Sequence, residues 1–190
     1  MGTATPWKEK AVALRDADQL DQSLSVVEQH LKSEPNDPAG WHFKGGLLLM
    51  MRRLTQSITC FDKVLTLDKS TNALMGKGIC LKELNRHKEA LVCFQAEAVR
   101  DPHNPETYFN LGLCLFKLGR LDEALEHHEK VISLVDNHSH AWFQKITIEL
   151  LIPAPPDVSI ASMRKYLQIA DPSEQGNIAY VRTCLEAIEG

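Results

Sequence analysis

Apolar positions along the chain recur in pairs of short blocks, with small or turn-forming residues between the members of each pair. The stretch from Asn104 to His138 shows the unit most clearly: it reads as one helix, a sharp turn at Gly119, and a second helix packed back on the first. Weaker copies of the same window run through the rest of the chain. Gly45, Gly78 and Gly112 are spaced 33 and 34 residues apart, and an apolar residue follows each three positions on, at Leu48, Leu81 and Leu115. Large side chains precede those glycines by four positions at Trp41, Leu74 and Tyr108. Twelve positions after each glycine stands Ser57, Ala90 or Ala124, and four further on Phe61, Phe94 or His128. The chain is an array, and its function is to be sought on the surface that stacking creates.

The best copy, with Tyr108, Leu111, Gly112, Leu115 and Ala124, matches the tetratricopeptide pattern, and the chain resembles a tetratricopeptide-repeat protein. Carried backwards, the pattern places Trp7, Ala11, Leu14, Ser23, Val27 and Pro35 on the same positions of an earlier copy; carried forwards, it gives Trp142 the aromatic position. The resemblance implies an all-α fold, an α-solenoid of about five antiparallel helix hairpins in a right-handed superhelix with a C-terminal capping helix. One domain over residues 4–190 is expected, with repeats at 4–37, 38–70, 71–104 and 105–138, a degenerate copy at 139–172 and a final helix within 173–190.

Elementary packing supports that assignment. Small residues such as Gly112 and Ala124 let the two helices of a hairpin approach closely, and a bulky side chain at Gly112 would cost about 1–3 kcal/mol. Thr5-Pro6, Asp37-Pro38 and Asn104-Pro105 each set a capping side chain before a proline suited to the first helical turn. First helices are predicted near 6–17, 38–51, 72–84, 105–118 and 140–152, and second helices near 20–33, 54–67, 87–100, 121–134 and 157–170. The degenerate copy has Ile146 where the glycine belongs and Leu151-Ile-Pro-Ala-Pro-Pro156 in place of the turn, so a looser, more splayed hairpin is expected. It either ends the array or distorts it to shape a surface. The last stretch, NIAYVRTCLEAIEG, aligns with a first helix, Tyr180 at the aromatic position and Cys184 at the small one; a cap and a hairpin cut short both fit.

Composition narrows the function classes. With 44% hydrophobic and 24% charged residues the chain can bury a sizeable core. No apolar run approaches the roughly 18 residues of a membrane helix, and the first residues lack the core of a secretion signal, so no membrane insertion and a cytoplasmic location are expected. A net charge of −4 argues against nucleic acid as partner. Cys60, Cys80, Cys93, Cys114 and Cys184 form an odd set without a CxxC pair, and the first four follow the repeat as small core fillers. His127-His128 are adjacent on a helix and point about 100° apart. His128 takes a phenylalanine's place, and His138 and His140 could chelate only weakly at a turn. No phosphate-binding loop, HExxH or GxSxG occurs. Neither cofactor, metal nor enzymatic activity is expected.

The resemblance places binding residues on the first helices, facing a concave groove. Mapped onto this sequence they are Lys8, Val12 and Arg15; His42, Gly46, Leu49 and Met50; Met75, Ile79 and Lys82; Phe109, Leu113, Phe116 and Lys117; and Phe143 and Thr147. Family members that hold the acidic C-terminus of a heat-shock chaperone use lysine and asparagines there. Here Lys8 fits, but Val12 and Phe43 stand where the asparagines belong; starting one copy later fails at His42, Gly46 and Lys77. A chaperone tail is therefore disfavoured. The Met- and Phe-rich strip suits a helical or extended hydrophobic segment of a protein partner, with Lys8, Arg15, Lys82 and Lys117 at the rim to orient its acidic residues. Solvated charges are the plainer role for those cations, and the chain's own final helix is an alternative cover for the strip. The expected state is a monomer or weak homo-oligomer. A self-associating module, using Tyr180 to Ile188 or the groove itself, is the rival reading.

Overall fold

The apolar spacing is met by helices throughout the described residues, 6–68, 73–152 and 155–190, of a computed structural model. Eleven helices follow in order: α1 Pro6–Asp16, α2 Leu20–Ser33, α3 Pro38–Met50, α4 Leu54–Leu67, α5 Ala73–Glu83, α6 His87–Arg100, α7 Pro105–Lys117, α8 Leu121–Leu134, α9 Ser139–Glu149, α10 Pro156–Ile169 and α11 Gln175–Glu189. The second helices α2, α4, α6 and α8 fall on their predicted bounds, and most first helices end one residue early. Helix α9 stops three residues before the expected 152, ahead of the proline-rich turn.

Helix starts follow the capping chemistry. Asp37 accepts from the backbone N–H of Ala39 at 3.0 Å and of Gly40 at 3.2 Å, and Asn104 accepts from Glu106 at 3.0 Å. Thr5, the third expected cap, lies outside the described residues. An unexpected cap appears at α9, where His138 Nδ1 accepts from Ala141 N–H at 3.1 Å.

The hairpin turns share one device. Asp18, Arg52, Asn85 and Gly119 have positive φ, 58°, 59°, 59° and 75°. The next residue's N–H then returns to the helix: Gln19 to Leu14, Arg53 to Leu48, Arg86 to Leu81 and Arg120 to Leu115, at 2.8 to 3.0 Å. This left-handed cap satisfies a carbonyl the helix end leaves open. In the last three of these turns the repeat leucine, Leu48, Leu81 or Leu115, thus supplies both a core side chain and the turn's acceptor. Among the described residues of the α9–α10 turn none has positive φ, and Leu151 and Ile152 bond back to Ile148 O at 2.8 and 3.0 Å.

The chain divides into two compact units, Met1–Glu97 and Ala98–Gly190, with the division inside α6. In the first, α1 packs on α2 and α3 on α4, with Ala11, Val27, Leu47, Leu48, Phe61, Val64, Ala73 and Cys80 at 0–3% exposure. The close-packing glycines are required by the ring opposite them. A Cβ on Gly45 would lie 2.9 Å from Phe61, and one on Gly78 2.6 Å from Phe94. In the second unit α7 packs on α8 and α9 on α10, and a Cβ on Gly112 would lie 2.6 Å from the His128 ring.

The fifth hairpin keeps a buried core although its glycine is lost. Ile146, Met163, Tyr166 and Val181 are all fully buried in one cluster. Buried Ser159, Ser162, Met163 and Tyr166 of α10 repeat the spacing of Ser57, Cys60, Phe61 and Val64 in α4, so Met163 takes the ring position. A larger residue on the first helix is offset by a smaller, flexible one on the second. Total volume, not the glycine, is what the packing needs. Helix α11 is tied on by Glu174, which accepts from Ser139 Oγ at 2.7 Å and Tyr166 OH at 3.0 Å. Tyr180, expected at a packing position, is half exposed at 49%.

Candidate interaction surface

The proposed binding positions recur at i, i+4 and i+7 on four first helices, a spacing that lines one helical stripe. In the first unit the stripes are Lys8, Val12 and Arg15 on α1, His42, Gly46 and Leu49 on α3, and Met75, Ile79 and Lys82 on α5. Lys8 is exposed, Met50 is 53% exposed, and the remainder are half-buried, so none belongs to the core. In the second unit Phe109, Leu113 and Phe116 are half-buried on α7, Lys117 is exposed, and Phe143 and Thr147 are half-buried on α9.

Neighbours fix several of these side chains. The Arg15 guanidinium lies 5.6 Å from the centre of the Phe43 ring, and Phe43 meets Trp7 edge-on at 6.0 Å. His42 lies 5.6 Å from Phe61. Burial first, and then the charge of Lys8, hold its imidazole below the usual histidine pKa. A shallow cavity of about 450 Å³ opens beside it, lined by Lys8, Asp37, Pro38, His42, Phe43 and Asp68 among others. In the second unit Phe109 is set between His128 at 5.5 Å and His138 at 5.1 Å. Phe143 faces Tyr166 at 5.7 Å and Tyr180 of α11 at 6.3 Å, and Thr147 Oγ1 donates to Phe143 O at 2.9 Å. The final helix therefore covers part of the α9 stripe.

The histidines and thiols have structural surroundings. Buried His128 has no hydrogen-bond partner on either ring nitrogen among the described residues, and burial pushes its pKa down to about 4. His138 spends Nδ1 on its cap. Among the described residues no group of three or more His, Cys, Asp or Glu is placed to hold a metal ion. Cys60, Cys80, Cys93 and Cys114 are buried; desolvation raises the pKa of Cys60 to about 11 and also raises those of Cys80 and Cys93, away from thiolate chemistry. No helix among the described residues is long and apolar enough to cross a membrane.

One recurring feature escaped the sequence reading. Lys44 pairs with Glu28 at 2.8 Å and Lys77 with Asp62 at 2.6 Å, and Lys145 pairs with Glu129, each lysine directly preceding a close-packing position. Each acid directly follows a ring position or its equivalent. Leu111 and Gln95 occupy the corresponding places of the remaining pair and cannot form such a bond. The aromatic of the first helix is anchored equally regularly: Trp41 Nε1 donates to Pro35 O at 2.8 Å, Tyr108 OH to Pro102 O at 3.2 Å and Trp142 Nε1 to Asp136 O at 2.8 Å. The signal for both lay in the repeat register, read for charge and not only for volume.

Antiparallel helix pairs repeating on one register define a helical-repeat protein, a class built to present surface to protein partners. The chain is similar to tetratricopeptide-repeat proteins, and its residues 105–138 match the tetratricopeptide repeat model itself. It is 22% identical over 136 residues to the Caenorhabditis elegans tetratricopeptide repeat-containing protein trd-1, covering 72% of this chain and 17% of that protein. The solved structure of MamA superposes with a TM-score of 0.80 at 18% identity, over 88% of this chain and 95% of that one. YrrB, described as a TPR protein with an unusual peptide-binding site, superposes with a TM-score of 0.77 at 19% identity, over 95% and 92%. These structural likenesses concern the fold. The chain spans between 9% and 39% of the length of the curated relatives it matches, which include plant proteins named as probable N-acetylglucosaminyltransferases and matched over 88 to 96 residues.

Proposed function

We propose that the chain is a non-enzymatic adaptor whose first-helix stripes form a peptide-binding groove for a helical or extended apolar segment of a protein partner. One observation carries the reading: at stripe positions in register with each other stand Leu49, Met75, Ile79, Phe109, Leu113 and Phe116, large apolar side chains left outside the core. Apolar groups held half in water gain most from being covered by a partner, and flexible methionines adapt to its shape. The peptide-binding site ascribed to YrrB is consistent with this use of the fold. The proposal includes one repeat domain over residues 4–190, a cytoplasmic location, and no requirement for metal, cofactor or nucleic acid. The C-terminus of a heat-shock chaperone is an unsuitable ligand, because Val12 and Phe43 replace the amides that would grip its carboxylates.

An affinity capture of partners by the intact chain, repeated with Phe109→Ala and Phe116→Ala together, tests the groove. Loss of the partners captured by the unchanged chain is expected; full retention would overturn the reading. The alternative, self-association through α11, draws on the exposure of Tyr180 and of Ile188, at 49% and 37%. Light scattering over a concentration series separates them, since a strict monomer removes self-assembly.

A further inference from the structure

Charge at the stripe positions differs from charge in the chain. The protein as a whole carries 25 Asp and Glu against 21 Lys and Arg, a net −4. Yet the stripe positions hold Lys8, Arg15, Lys82, Lys117 and His42 and no carboxylate at all. On an acidic protein, a run of apolar and basic side chains without a single acid is a local reversal of sign. It selects partners by charge as well as by apolar area.

The first unit shows the reversal best. Lys8, exposed at the mouth of the shallow cavity, makes no ion pair with any described residue. The acids nearby are engaged. Asp37 is occupied by the backbone N–H groups of Ala39 and Gly40 and by His30 Nε2 at 2.7 Å, and Asp68 has a partner within the protein. Arg15 is held over the Phe43 ring, with only its neighbour Asp16 as counter-ion at 2.8 Å. Burial, and after it the charge of Lys8, hold the proton affinity of His42 down in the same cavity.

We infer that the α1–α3–α5 surface takes a partner segment carrying internal Asp or Glu side chains beside apolar ones, its carboxylates meeting Lys8 and Arg15 and its apolar residues covering Leu49, Met75 and Ile79. This deepens the groove reading and rests on it. The carboxylate is a side chain within the segment and not a chain end, since the amide side chains that would orient a terminal carboxylate are replaced by Val12 and Phe43. Exposed charge contacts contribute modestly each, so affinity comes from the apolar side chains, while the acids set preference and association rate.

Fluorescence anisotropy with the intact chain and labelled designed peptides tests this. The probe is a peptide with Leu and Phe on one helical face, flanked by Glu, made with an amidated end and with a free carboxylate end. Two companions replace Glu by Gln and by Lys. The Glu peptide should bind about three- to tenfold tighter than the Gln peptide, the size of two exposed charge contacts. That preference should shrink at about 1 M salt, where the screening length falls to about 3 Å. Amidation should change nothing. Lys8→Glu with Arg15→Glu should erase the preference while leaving the Gln peptide bound, with unchanged circular dichroism as the folding control. Equal binding of the Glu and Gln peptides would overturn this inference and leave the groove reading standing. Binding that needs the free carboxylate end would overturn it in favour of a terminal anchor. No binding by any peptide would sink the groove reading, and this inference with it.

Discussion

Hairpins α7–α8 and α9–α10 lie in the same unit and meet the same packing requirement with opposite volumes. In the first, Gly112 leaves room for the ring of His128; in the second, Ile146 fills the space and Met163 yields. Their turns differ in the same spirit. Gly119 takes a left-handed conformation, and Arg120 forks onto Glu123, whereas the second hairpin closes through an apolar turn ahead of Pro156. Even the repeat leucine changes: Leu115 has its counterpart in Glu149, a carboxylate at 4% exposure that accepts from Ser162 at 3.1 Å and leaves its second oxygen without a partner among the described residues. The difference teaches that the repeat constrains summed volume and backbone bonding across a hairpin, while the identity at any one position is negotiable.

The comparison breaks most sharply at Ile146. If that side chain is what fills the fifth hairpin, Ile146→Ala should cost about 3 kcal/mol through lost transfer energy and the cavity left behind, read from a urea transition. A cost below about 1 kcal/mol would mean the hairpin is as loose as its lost glycine suggests.

Next in size is a pH effect in which buried His128 of the fourth hairpin has the large shift. The unfolded chain protonates His128 near 6.5, whereas the folded chain resists until about 4. The unfolded state therefore binds more protons in that window, and stability falls as pH drops from about 6.5 to about 4. The full loss is about 3 kcal/mol, from about 1.4 kcal/mol per pKa unit. His128→Phe, which restores the residue type found at Phe61 and Phe94, should reduce that slope in a series of melts between the two values, leaving the smaller share of His42, His127 and His138. An unchanged slope would mean that His128 gains a partner or water on protonation.

A smaller effect of opposite sign belongs to Glu149. Burial raises its pKa, so the folded state holds a proton more tightly than the unfolded, and stability contributed below the usual carboxylate pKa is lost as pH rises through the raised one. Glu149→Leu should stabilise the protein at neutral pH by about 1 kcal/mol, the direction expected when a poorly partnered buried charge is replaced by an apolar group. Destabilisation would show that the bond from Ser162 and the nearby Lys145 outweigh the cost of burial.

Smallest is the Arg120 fork. Arg120→Ala should leave the thermal midpoint unmoved, because both partners are exposed and exposed pairs contribute little. A clear drop would assign the turn to the fork instead of to Gly119.

Much of the architecture was legible because a helix pair repeats its needs. Gly45, Gly78 and Gly112 located the close crossings, and Asp37 and Asn104 marked helix starts through chemistry that acts within three residues. The left-handed turns at Asp18, Arg52 and Asn85 were less legible. A non-glycine residue reaches positive φ at small cost when the chain beyond it is held by packing, and nothing local announces it. The stripes Lys8–Arg15, His42–Leu49, Met75–Lys82 and Phe109–Phe116 were legible as positions, since register fixes which face a residue occupies. Their surroundings were not, as with Phe109 between two histidines or Phe143 beneath Tyr180.

The sequence by itself determined the helix pairs, their register and the chemistry of the stripe, because these follow from periods of a few residues and a repeat near 34. Only the tertiary structure decided that Met163 compensates Ile146, that Glu149 is buried where leucines stand, that His128 lies without a partner, and that Lys44, Lys77 and Lys145 each meet an acid of the preceding hairpin. Those outcomes depend on how two surfaces, distant in sequence, divide volume and charge between them. No single helix carries that information.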